Sequence, residues 1–521
     1  MQDVRVRRGA DVGSDHHLLM ATLKMDLRKN RPGKASQQQF DVNKLKEPRA
    51  KSTFTLQLKN KSQALTDAEK HTTPGTSDIN TMWEQIRKAY TQTSEACLGP
   101  RRKKRKEWIT VDAWQAIESR RAQKEKVMDT RSEKLKERYR QQYREADRTV
   151  KRMIRADKQA CMKDLANQAE EAANGGEQGQ VNKITKLVSG KYRGATDTPI
   201  VDKHGRLLTT EAEQEAKCVE HFSEVLNRAP PTIEAVVQDP DTDLDVSTAP
   251  PEKEEIMAAI RSLKSGKAPG QDSLNEELFK AEPEFAAQVL QPLFAAIWEE
   301  KQLPDDWTEG VIVKIAKKGA LSNCNNWRGV TLLSVNSKIL AKLIIRRISE
   351  AVDQRLRQEQ AGFRKGRGCM DQIFTLRNII EQCTEWQRQL YINYMDFEKA
   401  FDSIHRECLW CILRAYGIPQ QIVLVTSSFY NNFKCRVGNS ESSFGVKTGV
   451  RQGSPMSALL FNLKIDWVMR QTTSDQPRGI RWTLFSTLED LDFADDLALV
   501  SHTHQHMQGK KTPVSACLHN R

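Results

Sequence analysis

The sequence has no apolar run as long as a membrane span, and its N-terminus lacks the basic-then-apolar layout of a signal peptide. It also has no glycine-rich phosphate loop of the Walker type and no internal repeat. Its ten cysteines are scattered, and the metal-like pair Cys408 and Cys411 has no second pair or histidine cluster beside it. These absences argue against membrane-spanning, disulfide-framework and Walker-type proteins, and we expect an intracellular chain with reduced thiols.

Positive charge, by contrast, is in excess. The 521 residues include 82 Lys and Arg against 68 Asp and Glu, which gives a formal net charge of +14. Only 38% of the residues are hydrophobic, so the chain is polar for its length. The length allows two to four domains, and the charge favours a polyanionic partner.

Composition changes divide the chain into six segments. We predict a separate N-terminal piece over 1–25 and a linker with a helical segment over 26–100. A basic helical region covers 101–229, and an acidic, proline-containing linker covers 230–251. A globular region of mixed α and β structure follows over 252–501, and an irregular tail over 502–521. The expected fold class is α+β.

The basic helical region begins at the run "RRKKRK", residues 101–106. Apolar residues then recur at three- and four-residue spacing, which predicts a helix with one apolar stripe: Leu135, Tyr139, Tyr143, Ala146, Val150 and Ile154. The remaining surface of this helix is strongly basic. Two interpretations stay open. The region is either a nucleic-acid-contacting helix or nuclear-localisation signal, or it is the solvated face of a helix packed against its neighbour.

Two adjacent carboxylates interrupt an apolar run near the C-terminus. The stretch "LDFADDLALV" predicts two short strands with Asp495 and Asp496 at the turn between them. A polar hairpin turn explains these residues, and so does a site where a divalent metal balances their charge. The second interpretation requires a third oxygen ligand elsewhere in the chain.

The candidate for that ligand is Asp396. It ends the apolar strand of "LYINYMDFEKAFDSIHRECL", and a helix carrying Ala400, Phe401, Ile404 and Leu409 on one side is predicted to follow. Alone, the aspartate is also compatible with a helix N-cap. Together with Asp495 and Asp496 it suits a two-metal site, for which Mg²⁺ is the expected ion and Mn²⁺ a substitute.

Six sequence blocks occur in an order that resembles the reverse transcriptase of non-LTR (LINE-type) retrotransposons. They are "SGKAPGQD", "NWRGVTLLSVNSKILAKLI", "QAGFRKGRGCMDQI", "DFEKAFDSI", "GVRQGSPMSALLFNL" and "FADD". The resemblance implies right-hand polymerase fingers and a palm with an antiparallel sheet. It also implies an RNA template, a DNA primer and deoxynucleoside triphosphates as partners, and work in the nucleus, with no membrane.

The resemblance also implies roles for particular residues. The catalytic and metal-binding carboxylates fall on Asp396, Asp495 and Asp496, while Asp402 in the same motif is given a structural role. Phe401 falls on the gate position that excludes a ribose 2′-hydroxyl, with core packing as the alternative. The other expected nucleotide-binding residues are Arg328, Lys314, Lys317, Gln452 and Gly453, with Lys318 in the same basic loop.

Two further groups complete these expectations. Arg364, Lys365 and Arg367 of "GFRKGRG" are expected to contact the template strand, with an exposed basic turn as the alternative. Arg451 is expected to contact a backbone or phosphate group, with a surface salt bridge as the alternative. The N-terminal "GSDHHLLMATLKM" resembles the end of the endonuclease/exonuclease/phosphatase family. In that family His16 would act on the attacking water and Asp15 would orient it, so we interpret residues 1–25 as a remnant of such a domain.

After "FADDLALVSHTHQHMQ" the sequence departs from the family pattern and no thumb is recognisable. We therefore expect a truncated RNA-directed DNA polymerase of a transposable element. The alternative function is a non-catalytic nucleic-acid-binding remnant of such a polymerase.

Overall fold

The structure is a computed structural model that describes residues 3–7, 18–22, 40–69, 78–101, 108–130, 132–175, 177–189, 200–229, 240, 242–317, 319–397, 399–438, 440–473, 477–482 and 486–510. The chain forms two compact units, residues 1–38 and 39–521. In the first unit, strands β1 (Asp3–Arg7) and β2 (Leu18–Thr22) form an antiparallel pair with Asp3 opposite Thr22. Asp15 and His16, the predicted endonuclease remnant, lie outside the described residues.

The second unit contains the helices of the described chain. They are α1 (Pro48–Glu69), α2 (Ile79–Cys97), α3 (Val111–Asp129), α4 (Glu133–Asn174), α5 (Gln178–Val188), α6 (Glu211–Leu226), α7 (Lys253–Arg261), α8 (Glu276–Lys280), α9 (Pro283–Glu300), α10 (Val335–Arg355), α11 (Cys369–Glu385), α12 (Arg406–Ala415), α13 (Gln420–Ser428) and α14 (Ser457–Thr473). Short 3₁₀ helices cover Val42–Lys46, Asp305–Thr308, Cys324–Asn326 and Ala400–Asp402. None of the described helices combines the length and the apolar character needed to cross a membrane.

The strands of this unit form four small sheets among the described residues. They are β3 (Ile200–Val201), β4 (Leu207–Leu208), β5 (Glu309–Ala316), β6 (Trp327–Leu332), β7 (Tyr391–Asp396), β8 (Lys434–Val437), β9 (Ser443–Gly445), β10 (Ile480–Arg481), β11 (Thr487–Leu488), β12 (Asp490–Phe493) and β13 (Asp496–Ser501). The two larger sheets have the orders β6-β5-β8-β9 and β12-β13-β7, and only the β5–β8 pairing within them is parallel. The fold class is therefore mixed α and β, as the sequence predicted.

Residues 40–98 differ from the predicted linker. The indole of Trp83 in α2 packs edge-on against Trp307, with ring centroids 5.3 Å apart, and its Nε1 donates to Asp306 at 2.9 Å. Tyr90 stacks on Phe279 at 4.5 Å. These rings are almost fully buried in the same apolar cluster as α7, α9 and α10. The amphipathic helix α2 is thus a layer of the main core, because only the core can cover its apolar stripe.

The predicted acidic linker is also partly packed on this core. The main chain of Leu244 donates to the carbonyl of Gly417 at 2.6 Å, and the indole of Trp298 donates to the carbonyl of Thr248 at 2.8 Å. Arg347 binds Glu255 and the carbonyl of Ala249. Residues 242–250 are therefore held by specific hydrogen bonds, while 230–239 and 241 lie outside the described residues.

The predicted basic helix is confirmed as α4, which packs against α3 and α5. Helix α4 ends at Asn174, within "NGGEQG", and α5 begins at Gln178. The predicted irregular tail also differs, because residues 504–510 are helical and Lys510 is buried with its ammonium donating to the carbonyl of Val500 at 2.8 Å. Residues 511–521 lie outside the described part of the chain.

Candidate active site

The three-stranded sheet β12-β13-β7 brings the predicted carboxylates to one edge, at the ends of its strands. Asp396, the last residue of β7, is the direct cross-strand partner of Asp496, the first residue of β13. Phe493 pairs with Asp496 in the β12–β13 hairpin, so Ala494 and Asp495 form the turn. The sequence predicted this hairpin with both Asp495 and Asp496 in the turn. Asp496 instead belongs to the strand, and that fixes its register against Asp396.

A buried glutamine anchors the turn. Gln360 accepts hydrogen bonds through Oε1 from the main-chain N–H of Ala494 at 3.0 Å and of Gly362 at 2.7 Å. Ala494 has a positive φ of 59°, and the turn therefore depends on this support. Gly362 lies so close that a Cβ there would be 2.2 Å from the Ala494 nitrogen. Gly362 of "AGF" therefore has no space for a side chain, because the Ala494–Asp495 turn packs against it.

Negative charge accumulates at this edge. Burial, followed by the neighbouring charges of Asp495 and Asp396, raises the pKa of Asp496. Among the described residues, no Lys or Arg forms an ion pair with Asp396, Asp495 or Asp496. Like charges placed opposite each other across two strands are destabilising, so the site favours a cation.

The donor atoms fit a hard divalent ion. They are carboxylate oxygens, the ligands that Mg²⁺ prefers, and the side chains of Asp396 and Asp496 are exposed. Within the described ranges no three His, Cys, Asp or Glu side chains form a ready-made ion site. What brings the three carboxylates near one another is the strand register of β7, β12 and β13.

Sequence analysis missed a buried ionic network behind the turn. Arg357 binds Asp490 through Nη1 at 2.9 Å and Asp492 through Nη2 at 2.5 Å, and its Nε lies 3.3 Å from Asp466. The three carboxylates have no exposed side-chain surface. Burial and then the charge of Asp490 raise the pKa of Asp492 well above its usual value.

This network joins β12 to the segment after α10. The signal in the sequence was the spacing of Asp490 and Asp492, which places both on one face of an apolar strand. A paired cation elsewhere in the chain was required, but nothing in the sequence singles out Arg357 among the 82 basic residues.

Phe401 and Asp402 lie beside the carboxylate edge, on a 3₁₀ turn. The α-helix predicted directly after Asp396 begins only at Arg406. The ring of Phe401 stacks on Phe461 of α14 with centroids 4.4 Å apart, and the edge of exposed Phe363 faces it at 6.2 Å. Phe401 is thus packed on the core, which was the alternative to the gate role, and it is only half buried.

Gln452 and Gly453 approach the same turn from the "GVRQGSP" segment. Gln452 donates through Nε2 to Asp402 at 2.8 Å, and its carbonyl accepts from the Thr331 N–H at 2.7 Å. Gly453 has φ of +124°, and a Cβ there would lie 2.3 Å from the Thr331 carbonyl oxygen. The close approach that requires a glycine at position 453 is therefore one between this segment and β6 within the protein.

Arg451 differs from its expected place. It is 4% exposed, its guanidinium lies 3.6 Å from the ring centroid of Phe433, and Nη1 donates to the Trp307 carbonyl at 3.5 Å. Burial lowers the pKa of Arg451 to about 9. The alternative prediction of a surface salt bridge is therefore wrong. The guanidinium instead contacts a main-chain carbonyl in the core of the protein itself. Arg451 also lines a cavity of about 30 Å³, room for one water.

The predicted phosphate-binding residues of the β5–β6 hairpin do not converge. Arg328 pairs with Ile315 and Lys314 with Gly329, and so Arg328 and Lys314 lie on opposite faces of the hairpin. Lys314 is half buried, 3.4 Å from the Cys218 sulfur and above the Trp327 ring. Grouping Lys314 with Arg328 is therefore wrong. Arg328 and Lys317 are exposed, and Lys318 lies outside the described residues.

The predicted template loop contains one buried arginine. Arg364 is 7% exposed and donates to Asp353 Oδ1 at 2.6 Å and to the carbonyl of Arg357 at 2.6 Å. The prediction that Arg364 contacts the template is therefore wrong, because its guanidinium is buried and holds the "GFRKGRG" loop in place. Arg367 binds the carbonyl of Gln358 at 2.6 Å, whereas Lys365 is exposed and stays available as a template contact.

The described residues thus bring Asp396, Asp495 and Asp496 together where β7 ends and β13 begins. Comparison with known proteins adds a family to this geometry. Residues 315–521 match the family described as "Reverse transcriptase (RNA-dependent DNA polymerase)". The match confirms the similarity inferred from the ordered sequence blocks, while the predicted endonuclease remnant lies outside it.

Relatives named for transposable elements are also similar to part of the chain. The "Transposon TX1 uncharacterized 149 kDa protein" of Xenopus laevis is 32% identical over 41% of this chain and 16% of its own length. The "Probable RNA-directed DNA polymerase from transposon BS" of Drosophila melanogaster is 30% identical over 47% of this chain and 27% of its own. The chain thus aligns with only about a sixth to a quarter of these relatives.

A solved structure also aligns, although loosely. The "apo telomerase from Candida Tropicalis truncated from C-terminal domain" has 16% identity and a TM-score of 0.31, over 47% of this chain and 60% of that one. This overlap is too loose to support a conclusion about either fold.

Proposed function

We propose that this chain is the polymerase part of a non-LTR retrotransposon protein and extends a DNA primer on an RNA template. The observation that carries the proposal is the register of Asp396 against Asp496, with Asp495 at the adjoining turn. The match of residues 315–521 to the reverse transcriptase family supports the choice of template and product.

The reaction joins the primer 3′-hydroxyl to the α-phosphate of a deoxynucleotide and releases pyrophosphate. Asp396, Asp495 and Asp496 would hold the metal ions, with two Mg²⁺ expected and Mn²⁺ as a substitute. When bound, such ions lower the pKa of the attacking hydroxyl and neutralise charge on the phosphates. The sheet keeps the three carboxylates in place, because cross-strand hydrogen bonds fix the register and Gln360 fixes the turn.

The residues around the turn would shape the sugar pocket. Gln452 holds Asp402, and the stacking of Phe401 on Phe461 fixes the orientation of the Phe401 ring. The exposed part of that ring would exclude a ribose 2′-hydroxyl by contact. Arg328 and Lys317, which are exposed on the neighbouring hairpin, would meet the triphosphate.

Replacing Phe401 with alanine should reduce the preference for deoxynucleotides by about 10- to 100-fold, because steric discrimination of one hydroxyl is worth about that much. The measurement is kcat/KM for a deoxynucleotide against the matching ribonucleotide. Phe461→Leu keeps the Phe401 ring but weakens the stacking that orients it, so it should reduce the preference less than Phe401→Ala does. An unchanged ratio in Phe401→Ala would show that the ring does not contact the sugar.

The function itself is tested by primer extension with the intact chain. A DNA primer annealed to RNA is offered with deoxynucleotides and Mg²⁺, and a DNA template serves as the comparison. We expect template-directed extension on RNA that EDTA stops. Binding of the primer-template without any extension would favour the alternative, a non-catalytic nucleic-acid-binding remnant.

A further inference from the structure

Helix α4 carries a continuous row of cations that the polymerase site does not use. Their three- and four-residue spacing places these side chains on one face of the helix, and all of them are exposed: Arg140, Arg144, Arg148, Lys151, Arg152, Arg155 and Lys158. We refer to them as the basic face. At 1.5 Å per residue the basic face is about 27 Å long.

The opposite side of α4 is the packed side. Val150 is 1% exposed, and its position in the helical period is about half a turn away from Arg148 and Arg155. Asp147 and Asp157 reach α3, where they bind Arg120 at 2.7 Å and the hydroxyl of Thr110 at 3.0 Å. Helix α3 therefore packs on the side of α4 that carries Val150, and the basic face stays exposed.

Two of these cations are paired with acidic residues of the described chain. Arg140 lies 3.3 Å from Glu137, and Lys151 lies 2.7 Å from Asp147. The other five form no ion pair with any of the described residues: Arg144, Arg148, Arg152, Arg155 and Lys158. Acidic residues are thus present on α4, but among the described residues none forms an ion pair with the middle of the row.

This arrangement has an energetic cost for the isolated helix. Arg144 and Arg148, and Arg148 and Arg152, are like charges four residues apart, and each such pair destabilises a helix by about 0.2–0.5 kcal/mol. An extended row of phosphates removes this repulsion and releases counterions. A solvated surface helix has no such reason to concentrate arginine on a single face.

We propose that the basic face of α4 is a docking surface for double-stranded DNA. An α-helix of 10–12 Å diameter fits the roughly 12 Å major groove of B-form DNA, where cations on one face can meet phosphates of both strands. The major groove of A-form RNA is deep and narrow and does not admit a helix in this way. The charge pattern predicts binding through phosphates and therefore without strong sequence preference.

The test measures binding of the full chain to a blunt, labelled duplex DNA of arbitrary sequence over a range of salt concentrations. In the variant Arg148→Gln/Arg152→Gln/Arg155→Gln, the slope of log K against log salt should become shallower by about 2.7, since each lost phosphate contact contributes about 0.9. Affinity at 0.1 M salt should fall roughly 100-fold or more, by the same relation. Circular dichroism would show whether α4 stays helical in the variant.

The matched control removes the same charge from the partner helix, as Arg121→Gln/Lys124→Gln/Lys126→Gln on exposed positions of α3. This control should bind duplex DNA like the wild type. A duplex RNA of the same sequence should bind the wild type more weakly than duplex DNA does. Equal affinity of the α4 variant and the wild type, equal losses in both variants, or equal binding of duplex RNA would each overturn the proposal.

The readout is independent of primer extension. The DNA-docking surface and the polymerase function can therefore fail separately, since a blunt duplex offers no primer terminus to extend.

Discussion

Primer extension by the Asp396→Asn variant is expected to fall at least about 1,000-fold, which corresponds to about 4 kcal/mol of transition-state stabilisation. Asparagine keeps the shape of the side chain and the pairing of residue 396 with Asp496, but it removes a charged oxygen ligand. The measurement is single-turnover extension on an RNA template at saturating Mg²⁺.

The same variant should be more stable than the wild type at neutral pH when no divalent ion is present. Burial and the charges of Asp495 and Asp396 raise the pKa of Asp496 in the folded state. A carboxyl whose folded pKa is raised contributes stability at low pH and loses it as the pH rises through the folded value. Asp396→Asn removes part of that loss, so its advantage over the wild type should grow as the pH rises above about 4.

The control for both effects is Asp245→Asn, which neutralises an exposed carboxylate outside the sheet. It should leave extension and stability unchanged. Thermal unfolding with and without Mg²⁺ provides a further readout, since Mg²⁺ should stabilise the wild type and the control more than Asp396→Asn. Full extension activity in Asp396→Asn would rule out Asp396 as a metal ligand.

Arg357→Met is expected to destabilise the fold by about 3–5 kcal/mol at neutral pH, because removing one partner leaves buried carboxylates without a counter-charge. Arg357 contacts Asp490 and Asp492, which have no exposed side-chain surface. Urea unfolding of the variant and the wild type measures the difference in the free energy of unfolding.

The loss should depend on pH in a defined direction. Burial and Asp490 already raise the pKa of Asp492, and without Arg357 the charged forms of both acids are more costly. Protonation removes that cost, so the deficit of Arg357→Met should shrink as the pH is lowered and widen as it is raised. Adding Asp492→Asn to Arg357→Met should recover part of the stability for the same reason.

Arg377→Met provides the matched control. Arg377 binds Glu381 at 3.1 Å on the exposed surface of α11, where an ion pair contributes about 0.5 kcal/mol or less. Its effect on the free energy of unfolding should therefore be about a tenth of the Arg357→Met effect. Similar losses in both variants would mean that the buried network does not stabilise the hairpin.

The β12–β13 hairpin and helix α4 could be predicted because the sequence patterns that indicate them are local. Alternating apolar residues around Asp495 and Asp496 indicate two strands, and the three- and four-residue period from Leu135 to Ile154 indicates a helix. The expected convergence of Asp396 with this hairpin came from its place at the end of an apolar strand and from the need of the paired carboxylates for a third oxygen ligand. The structure adds the register, which puts Asp396 opposite Asp496.

Arginines were the residues most often misplaced. Arg364 and Arg451 belong to motifs that bind nucleic acid in the resembling family, and both are nearly fully buried in this structure. A charged residue in a sequence is read as exposed, because burying it is costly unless it has partners. Those partners, such as Asp353 for Arg364, are recognisable only when the chain has folded.

The sequence by itself determined the order of the motifs, the strand and helix periods and the excess of positive charge. Each of these depends on neighbours along the chain or on simple sums. The tertiary structure decided which face of the β5–β6 hairpin carries Lys314, that α2 belongs to the main core, and that Arg357 neutralises Asp490 and Asp492. These depend on contacts between residues far apart in sequence, which packing and the cost of unpaired buried charge select.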